Sequence, residues 1–242
     1  MTSLNKQTAL ITGGSSGIGA AIALALAREG ANIAISGRRL APLEATVAQI
    51  EAAGGRGLAI QADVSKAADV QRMVDATLNR FGVLRIVINN AGIGGGDYIH
   101  RQSIEDWDKI MAVNLRGPFL VARAVLPLMR AQRQGHIIAI SSGSGVDYFV
   151  GNGAYGVSKH ALNALHEFIR RENEDFGIKV DVICPGFVDT PMTADYPGLN
   201  LEKCLTAEDV ADLTLWLLTR PARVNLGAPI RIRPMENPRK TS

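Results

Sequence analysis

The sequence predicts a doubly wound α/β fold of the Rossmann type: a parallel sheet of about seven strands with helices on both faces. Three observations carry this. Short β-branched runs alternate with longer amphipathic stretches along the 242 residues. The runs read as continuous Ile, Val and Ala rather than as alternating apolar and polar residues. A glycine-rich turn stands where the first run meets an Ala-rich stretch. Right-handed crossovers place helices on both faces of such a sheet, so its strands are apolar throughout.

Taken in order, the first strand, 8–12, is Thr-Ala-Leu-Ile-Thr, and the Ala-rich helix 17–28 follows its glycine turn. Asn-Ile-Ala-Ile-Ser forms the second strand, 32–36, followed by a helical period over 40–53. The third pair is a strand at 57–61 and a helix at 66–81; the fourth is a strand at 86–89 and a long helix at 104–133, with an interruption near Gly117-Pro118. Strands at 136–141, 179–184 and 229–233 alternate with helices at 154–175 and 206–219. No Pro/Ser/Gly-rich linker divides the chain, so one domain, 1–242, is expected.

With 47% hydrophobic and 20% charged residues, the chain has enough apolar matter for a core, which excludes disorder as a general description. Its 26 Lys and Arg against 23 Asp and Glu are spread along the chain, so no nucleic-acid partner is expected. No apolar run approaches the roughly 18 residues of a membrane span, and no membrane partner is expected. Residues 1–8 lack an apolar targeting region, and the ending Lys240-Thr241-Ser242 carries no lipidation or peroxisomal signal. Two cysteines, Cys184 and Cys204, make neither a disulfide framework nor a zinc site. A cytoplasmic location is the expectation. Four histidines, His100, His136, His160 and His166, show no metal spacing and are expected to face solvent or a subunit boundary.

Ligands of a doubly wound sheet bind beyond the carboxyl ends of the strands. The first end, Thr12-Gly13-Gly14-Ser15-Ser16-Gly17-Ile18-Gly19, lets a pyrophosphate approach a helix N-terminus, where free N–H groups and the helix dipole favour anions. Ala20-Ala21 follows where a phosphate-loop Lys-Ser/Thr is required, which disfavours a nucleotide hydrolase. Further ends carry Asn89-Asn90-Ala91-Gly92, Ser141-Ser142-Gly143 and Cys184-Pro185-Gly186-Phe187-Val188-Asp189-Thr190. Tyr155 and Lys159, i and i+4, share one helix face.

These motifs, with Asp63-Val64 and Asn114, give the chain a resemblance to the classical short-chain dehydrogenase/reductase family across nearly its whole length. The resemblance carries T-G-x-x-x-G-x-G at 12–19, N-N-A-G at 89–92, Y-x-x-x-K at 155–159 and P-G-x-V-x-T at 185–190. It implies a catalytic tetrad of Asn114, Ser142, Tyr155 and Lys159, with Asn114 anchoring a water. It also implies cofactor contacts from Gly13, Ser15, Ser16, Gly17, Ile18, Gly19, Asp63, Val64, Asn90, Ala91, Gly92, Tyr155, Lys159, Pro185, Gly186, Val188 and Thr190, with Lys159 holding the ribose. Asp63 would meet the adenine amino group, and Thr190 the carboxamide.

Reducing a ketone with a nicotinamide needs a proton donor, and Tyr155 is the candidate general acid/base. Lys159 and the positive nicotinamide ring are expected to depress its phenol by roughly three units, about 4 kcal/mol. Ser142 would orient the substrate oxygen. Where an NAD enzyme places an acid at the end of the second strand, this chain has Gly37 followed by Arg38 and Arg39, which favours the 2′-phosphate of NADP (NADPH) over NAD. Ser142, Phe187 and Met192 are expected to touch the substrate. Further walls should come from 94–96, 143–150 and Tyr196, with Asp147 the one charged group at the mouth of an open pocket.

The expected reaction is thus NADP(H)-dependent hydride transfer between nicotinamide and a small-molecule carbonyl or secondary alcohol, by a ketone reductase or hydroxy-acid dehydrogenase. The alternative is a non-catalytic nucleotide-sensing or scaffold protein of the same fold. Apolar positions at Phe119, Leu126, Leu162, Leu165 and Phe168 exceed what one buried face needs, and with the resemblance they imply a homotetramer.

Overall fold

The computed structural model describes residues 3–227 and 229–239; the termini read above thus lie partly outside the described residues, at 1–2 and 240–242. Strand β1 (Thr8–Thr12) leads through the glycine turn into α1 (Gly17–Arg28). The pattern repeats through β2 (Asn32–Gly37), α2 (Leu40–Ala52), β3 (Arg56–Gln61), α3 (Ala67–Phe81) and β4 (Ile86–Asn89). Then come α4 (Ile104–Met111), a π-turn (Ala112–Arg116), α5 (Gly117–Gln132), β5 (Gly135–Ile140), α6 (Gly153–Asn173), β6 (Ile178–Pro185), α7 (Ala207–Leu218) and β7 (Ile230–Ile232). The expected strands and helices are all present, with ends displaced by a residue or two.

The seven strands form one parallel sheet in the order β3-β2-β1-β4-β5-β6-β7. Because side chains alternate along a strand, each central strand feeds two cores. Ile11, Ile33, Ile35 and Ile88 point into the layer under α1, α2 and α7. Leu10, Ala34, Val87 and Ile137 point into the opposite layer, with Met73 of α3, Val125 of α5 and Ile169 of α6. This double burial explains the unbroken apolar runs in the sequence. The chain leaves β1 to one side and returns at β4 on the other, opening a crevice where their carboxyl ends part.

Helix boundaries follow from local chemistry. A reciprocal pair opens α7: Asp209 N donates to Thr206 Oγ1 at 3.2 Å, and Thr206 N donates to the Asp209 carboxylate at 2.7 Å. Gly82, at φ +79°, ends α3. The interruption of the long helix lies earlier than Gly117-Pro118, in the π-turn, while Gly117 and Pro118 open α5. Asn114 sits in that turn and is fully buried. Stretch 104–132 is long and apolar enough, by length and composition, to cross a membrane. Here it is divided by the π-turn, and Leu120, Val121, Val125 and Met129 form part of the sheet's core.

Two expectations about surface residues are corrected. His136 and His166 are buried rather than turned to solvent or a boundary: His136 Nε2 lies 2.7 Å from an Asp181 carboxylate oxygen, and His166, on the buried face of α6, lies against Asn89. Among the supposed surplus apolar positions, Leu162 belongs to the core, and Leu126 and Leu165 pack partly against it; Phe119 and Phe168 stay exposed.

Candidate active site

At the crevice the glycine turn is bolted to the end of β4. Thr12 Oγ1 accepts from Asn90 N at 3.1 Å and Ala91 N at 3.0 Å, and Asn90 Nδ2 donates to the carbonyls of Thr12 and Gly13. Gly13 N and Gly14 N both donate to the Ser36 carbonyl at the end of β2. A side chain at Gly19 would begin 2.3 Å from the Gly13 carbonyl oxygen, so the turn closes this tightly only with glycine. No side chain caps the start of α1, Ser16 included, and its first turn holds no acid. Its first N–H groups therefore face the crevice without competition. Gly17, at φ +53°, lies against the Thr190 methyl, which brings the turn to the segment after β6.

This cradle fits the pyrophosphate of a dinucleotide: close-approaching backbone, uncapped N–H donors and no neighbouring carboxylate in the first turn. At the edge of β2, Gly37 is partly buried, and Arg38 and Arg39 are exposed. Arg38 lies near enough to Asp63 to act on its carboxyl. Burial raises that carboxyl, but hydrogen bonds from Ser65 and the Lys66 and Arg38 charges leave it below its ordinary value. One Asp63 oxygen already accepts from Ser65 N and Oγ, at 2.9 and 2.7 Å. Val64 is buried against Gly117, its methyl 3.0 Å from where a Gly117 side chain would begin.

On the other side of the crevice, Ser142 follows β5, Tyr155 and Lys159 stand in the first turns of α6, and Pro185 closes β6. Ser142, Tyr155, Pro185, Gly186, Phe187, Val188, Thr190 and Met192 line one cavity of about 720 Å³, which Ile18 of the glycine turn also enters. Lys159 is buried behind Tyr155, its ammonium 5.6 Å from the centre of the phenol ring and 3.0 Å from the Ile140 carbonyl. Asn114 ties the arrangement from below. Its Oδ1 accepts from Ile93 N at 2.9 Å, and its Nδ2 donates to the Ile93 carbonyl and to Ser158 Oγ; Ser158 Oγ in turn donates to the Tyr155 carbonyl at 2.7 Å. The Asn114 side chain is thus committed to protein, which makes it a brace between the β4 loop and α6.

The protein's own groups act on Tyr155 as follows. Burial pushes the phenol up, a Ser142 hydrogen bond pulls it down and Cys184 pushes it up, for a net rise before any charge on a nicotinamide ring is added. Lys159 is itself lowered to about 8 by burial, with Cys184 acting against the shift, and one of its donors is held by Ile140. A raised phenol is protonated at neutral pH, the form that donates a proton.

The expected walls are mostly present: Gly94, Gly95, Gly96, Phe149, Val150 and Tyr196 line the cavity. Tyr148 does not; it is exposed and stacks on His160 at 4.8 Å. Asp147 lines the cavity but is paired with Arg231, and it is not the only charge there. Strand β7 supplies Arg231 to the wall, and the segment after it folds back over the carboxyl end of β6, bringing Arg233, Glu236 and Arg239 there. Sequence reading missed this wall. The signal was available in Arg231-Ile232-Arg233-Pro234, which leaves the last strand at the same edge as the other site residues. Cys184, which opens the expected strand-end run 184–190, lines the cavity too, and Asn152 is a further lining residue that no motif singled out.

The Rossmann sheet thus carries at one crevice a cradle that fits a dinucleotide, with Ser142 and Tyr155 on one cavity and Lys159 buried behind Tyr155. The short chain dehydrogenase family model matches residues 7–198, and the chain belongs to that family of oxidoreductases. It is 35% identical to an uncharacterized oxidoreductase of Staphylococcus epidermidis, covering 97% of this chain and 100% of that one. A 3-oxoacyl-[acyl-carrier-protein] reductase of Synechocystis is 36% identical, covering 92% and 93%. Among solved structures, levodione reductase superposes with a TM-score of 0.89 at 30% identity, covering 95% of this chain and 97% of that one. An alcohol dehydrogenase of Thermococcus sibiricus, complexed with 5-hydroxy-NADP, superposes with a TM-score of 0.87 at 29% identity, covering 98% of each. A short-chain dehydrogenase/reductase of Burkholderia phymatum in complex with NAD gives 0.83 at 29%, covering 90% and 87%.

Proposed function

We propose that this protein is an NADP(H)-dependent oxidoreductase acting between a carbonyl and a secondary alcohol, with Tyr155 as general acid/base. The observation that carries the reading is the meeting of Ser142 and Tyr155 in one cavity, with Lys159 directly behind, beside the uncapped start of α1. NADPH, when bound, supplies the hydride. The cradle around Gly13 to Gly19 would hold its pyrophosphate, and Thr190 and Val188 would hold the nicotinamide end. Ser142 holds the substrate oxygen by a hydrogen bond. Tyr155 gives that oxygen the proton in reduction as the phenol, and takes it back in oxidation as the phenolate. Lys159 keeps a cation behind the ring, and Asn114 positions Tyr155 through Ser158.

NADP is preferred over NAD because Gly37 offers no carboxylate to a free 2′-hydroxyl, while the exposed Arg38 can pair with a 2′-phosphate through its planar fork. The intact constellation argues against a purely nucleotide-sensing or scaffold role. Residues 1–242 are read as one domain on one sheet, in the cytoplasm, assembling as a homotetramer through the exposed Phe119 of α5 and Phe168 of α6. The test is cofactor affinity: NADPH should bind at least about tenfold tighter than NADH, and Arg38→Ala should narrow the gap. Tighter binding of NADH to the unmodified protein would overturn the cofactor assignment.

A further inference from the structure

The charges on the cavity wall do not cancel. Among the described residues, five charged ones line it: Asp147, Arg231, Arg233, Glu236 and Arg239. Asp147 is paired with Arg231, and Glu236 with Lys203 outside the cavity at 2.9 Å. That leaves two arginines without an acid. Arg233 has no hydrogen-bond or ion-pair partner among the described residues. Arg239 donates to the neutral Tyr196 hydroxyl and lies over the Phe187 and Tyr196 rings, 4.8 and 4.7 Å from their centres. Stacking of this kind holds a guanidinium in place without neutralising it.

Both arginines are positioned on the substrate side. Gly186 N donates to the Ile232 carbonyl at 2.8 Å, and a side chain at Gly186 would begin 3.4 Å from Arg233 Cα. A side chain at Gly143, next to Ser142, would begin 3.6 Å from the Pro185 carbonyl. The path from Ser142 to Arg233 therefore runs through adjoining backbone. The segment is fastened as well, Asn200 N donating to the Pro238 carbonyl at 3.0 Å.

We infer that the carbonyl substrate carries a carboxylate, and that Arg233 and Arg239 select it. This rests on the oxidoreductase reading above and adds the substrate class. A carboxylate accepts charge-assisted bonds from two guanidinium forks, whereas a neutral ketone leaves both arginines to water. The two groups touch the substrate away from the reacting carbon, so they set affinity more than the chemical step.

The experiment compares matched pairs, a set of oxo acids and their methyl esters, with NADPH on the unmodified protein and on Arg233→Gln and Arg239→Gln. Both arginines are exposed, so neither variant should unfold. The acids should exceed their esters in kcat/KM by roughly tenfold or more, chiefly through KM. Each variant should lower the acids' kcat/KM by about tenfold while leaving the esters and NADPH affinity within about twofold. Esters turned over as well as acids, or variants that weaken both alike, would overturn the inference and leave the oxidoreductase reading standing. If no pair turns over, calorimetry of the same acids and esters on the NADPH-loaded protein decides: binding confined to the acids and lost in the variants supports the inference, and equal or absent binding of acids overturns it.

Discussion

Lys159 is a cation held where a cation is costly. Its ammonium is buried, and the difference between an ordinary value of 10.5 and about 8 corresponds to about 3 kcal/mol. Between those two pH values the unfolded chain holds the proton and the folded one releases it, so stability rises with pH across the window and the penalty is full below about 8. From pH 7.5 to 9.5 the cofactor-free protein should gain about 2 kcal/mol more than the Lys159→Met variant, measured by denaturant unfolding. Equal pH responses of the two proteins would show that the amine is not strained. Tyr155 was legible from its spacing to Lys159, but its electrostatics were not. The sequence places a lysine four residues on; it does not show the burial that raises the phenol or that the ammonium is turned partly to Ile140.

At the scale of elements, α6 is tied to β4 by a buried histidine. His166 Nδ1 faces the Leu162 carbonyl at 2.9 Å, an acceptor only, so that nitrogen carries the proton and Nε2 accepts from Asn89 Nδ2 at 3.1 Å. Burial lowers His166 to about 4, a Leu162 bond opposing and the Lys159 charge adding. The unfolded chain takes up a proton below about 6.5 that the folded one resists, so stability is lost as pH falls from about 6.5 toward 4. Between pH 7.5 and 5 the unmodified protein should lose about 2 kcal/mol more than His166→Gln, read from unfolding midpoints. A parallel loss in both would place the acid sensitivity elsewhere, with His136 the next group to test. The elements themselves were largely readable, because buried parallel strands and 3.6-residue periods leave separate marks in sequence. The break in the long helix lies next to the expected Gly117-Pro118, at 112–116, but that pair is not its cause. Gly117-Pro118 looks like a breaker, but proline is tolerated in a helix's first turn, whereas the π-turn follows from tertiary bonds of Asn114 that no local pattern encodes.

Over the whole molecule, the crevice beyond the sheet gathers residues from β1, β2, β4, β5, β6 and α6, and the segment after β7 closes it. The glycine turn and the Ser, Tyr and Lys positions were visible because their chemistry needs particular residue types at fixed spacing. The Arg233 and Arg239 wall was only half visible: Arg231-Ile232-Arg233-Pro234 leaves the last strand at the site's edge, but the fold-back over β6 is set by tertiary contacts such as Asn200 N to the Pro238 carbonyl. Its outer faces bear on assembly too. Phe119 and Phe168 are exposed on α5 and α6, and burying them between copies should give a tetramer by light scattering at micromolar concentration; a monomer there would contradict the assembly proposed. The central claim is that this fold carries a working carbonyl oxidoreductase whose proton donor is Tyr155. It is tested most directly by following nicotinamide absorbance with a panel of ketones, aldehydes and hydroxy acids in the unmodified protein and in Tyr155→Phe. The variant should bind NADPH within about threefold of the unmodified protein and turn over its best substrate at least about 100-fold more slowly. Turnover within about threefold of the unmodified protein would contradict the assignment.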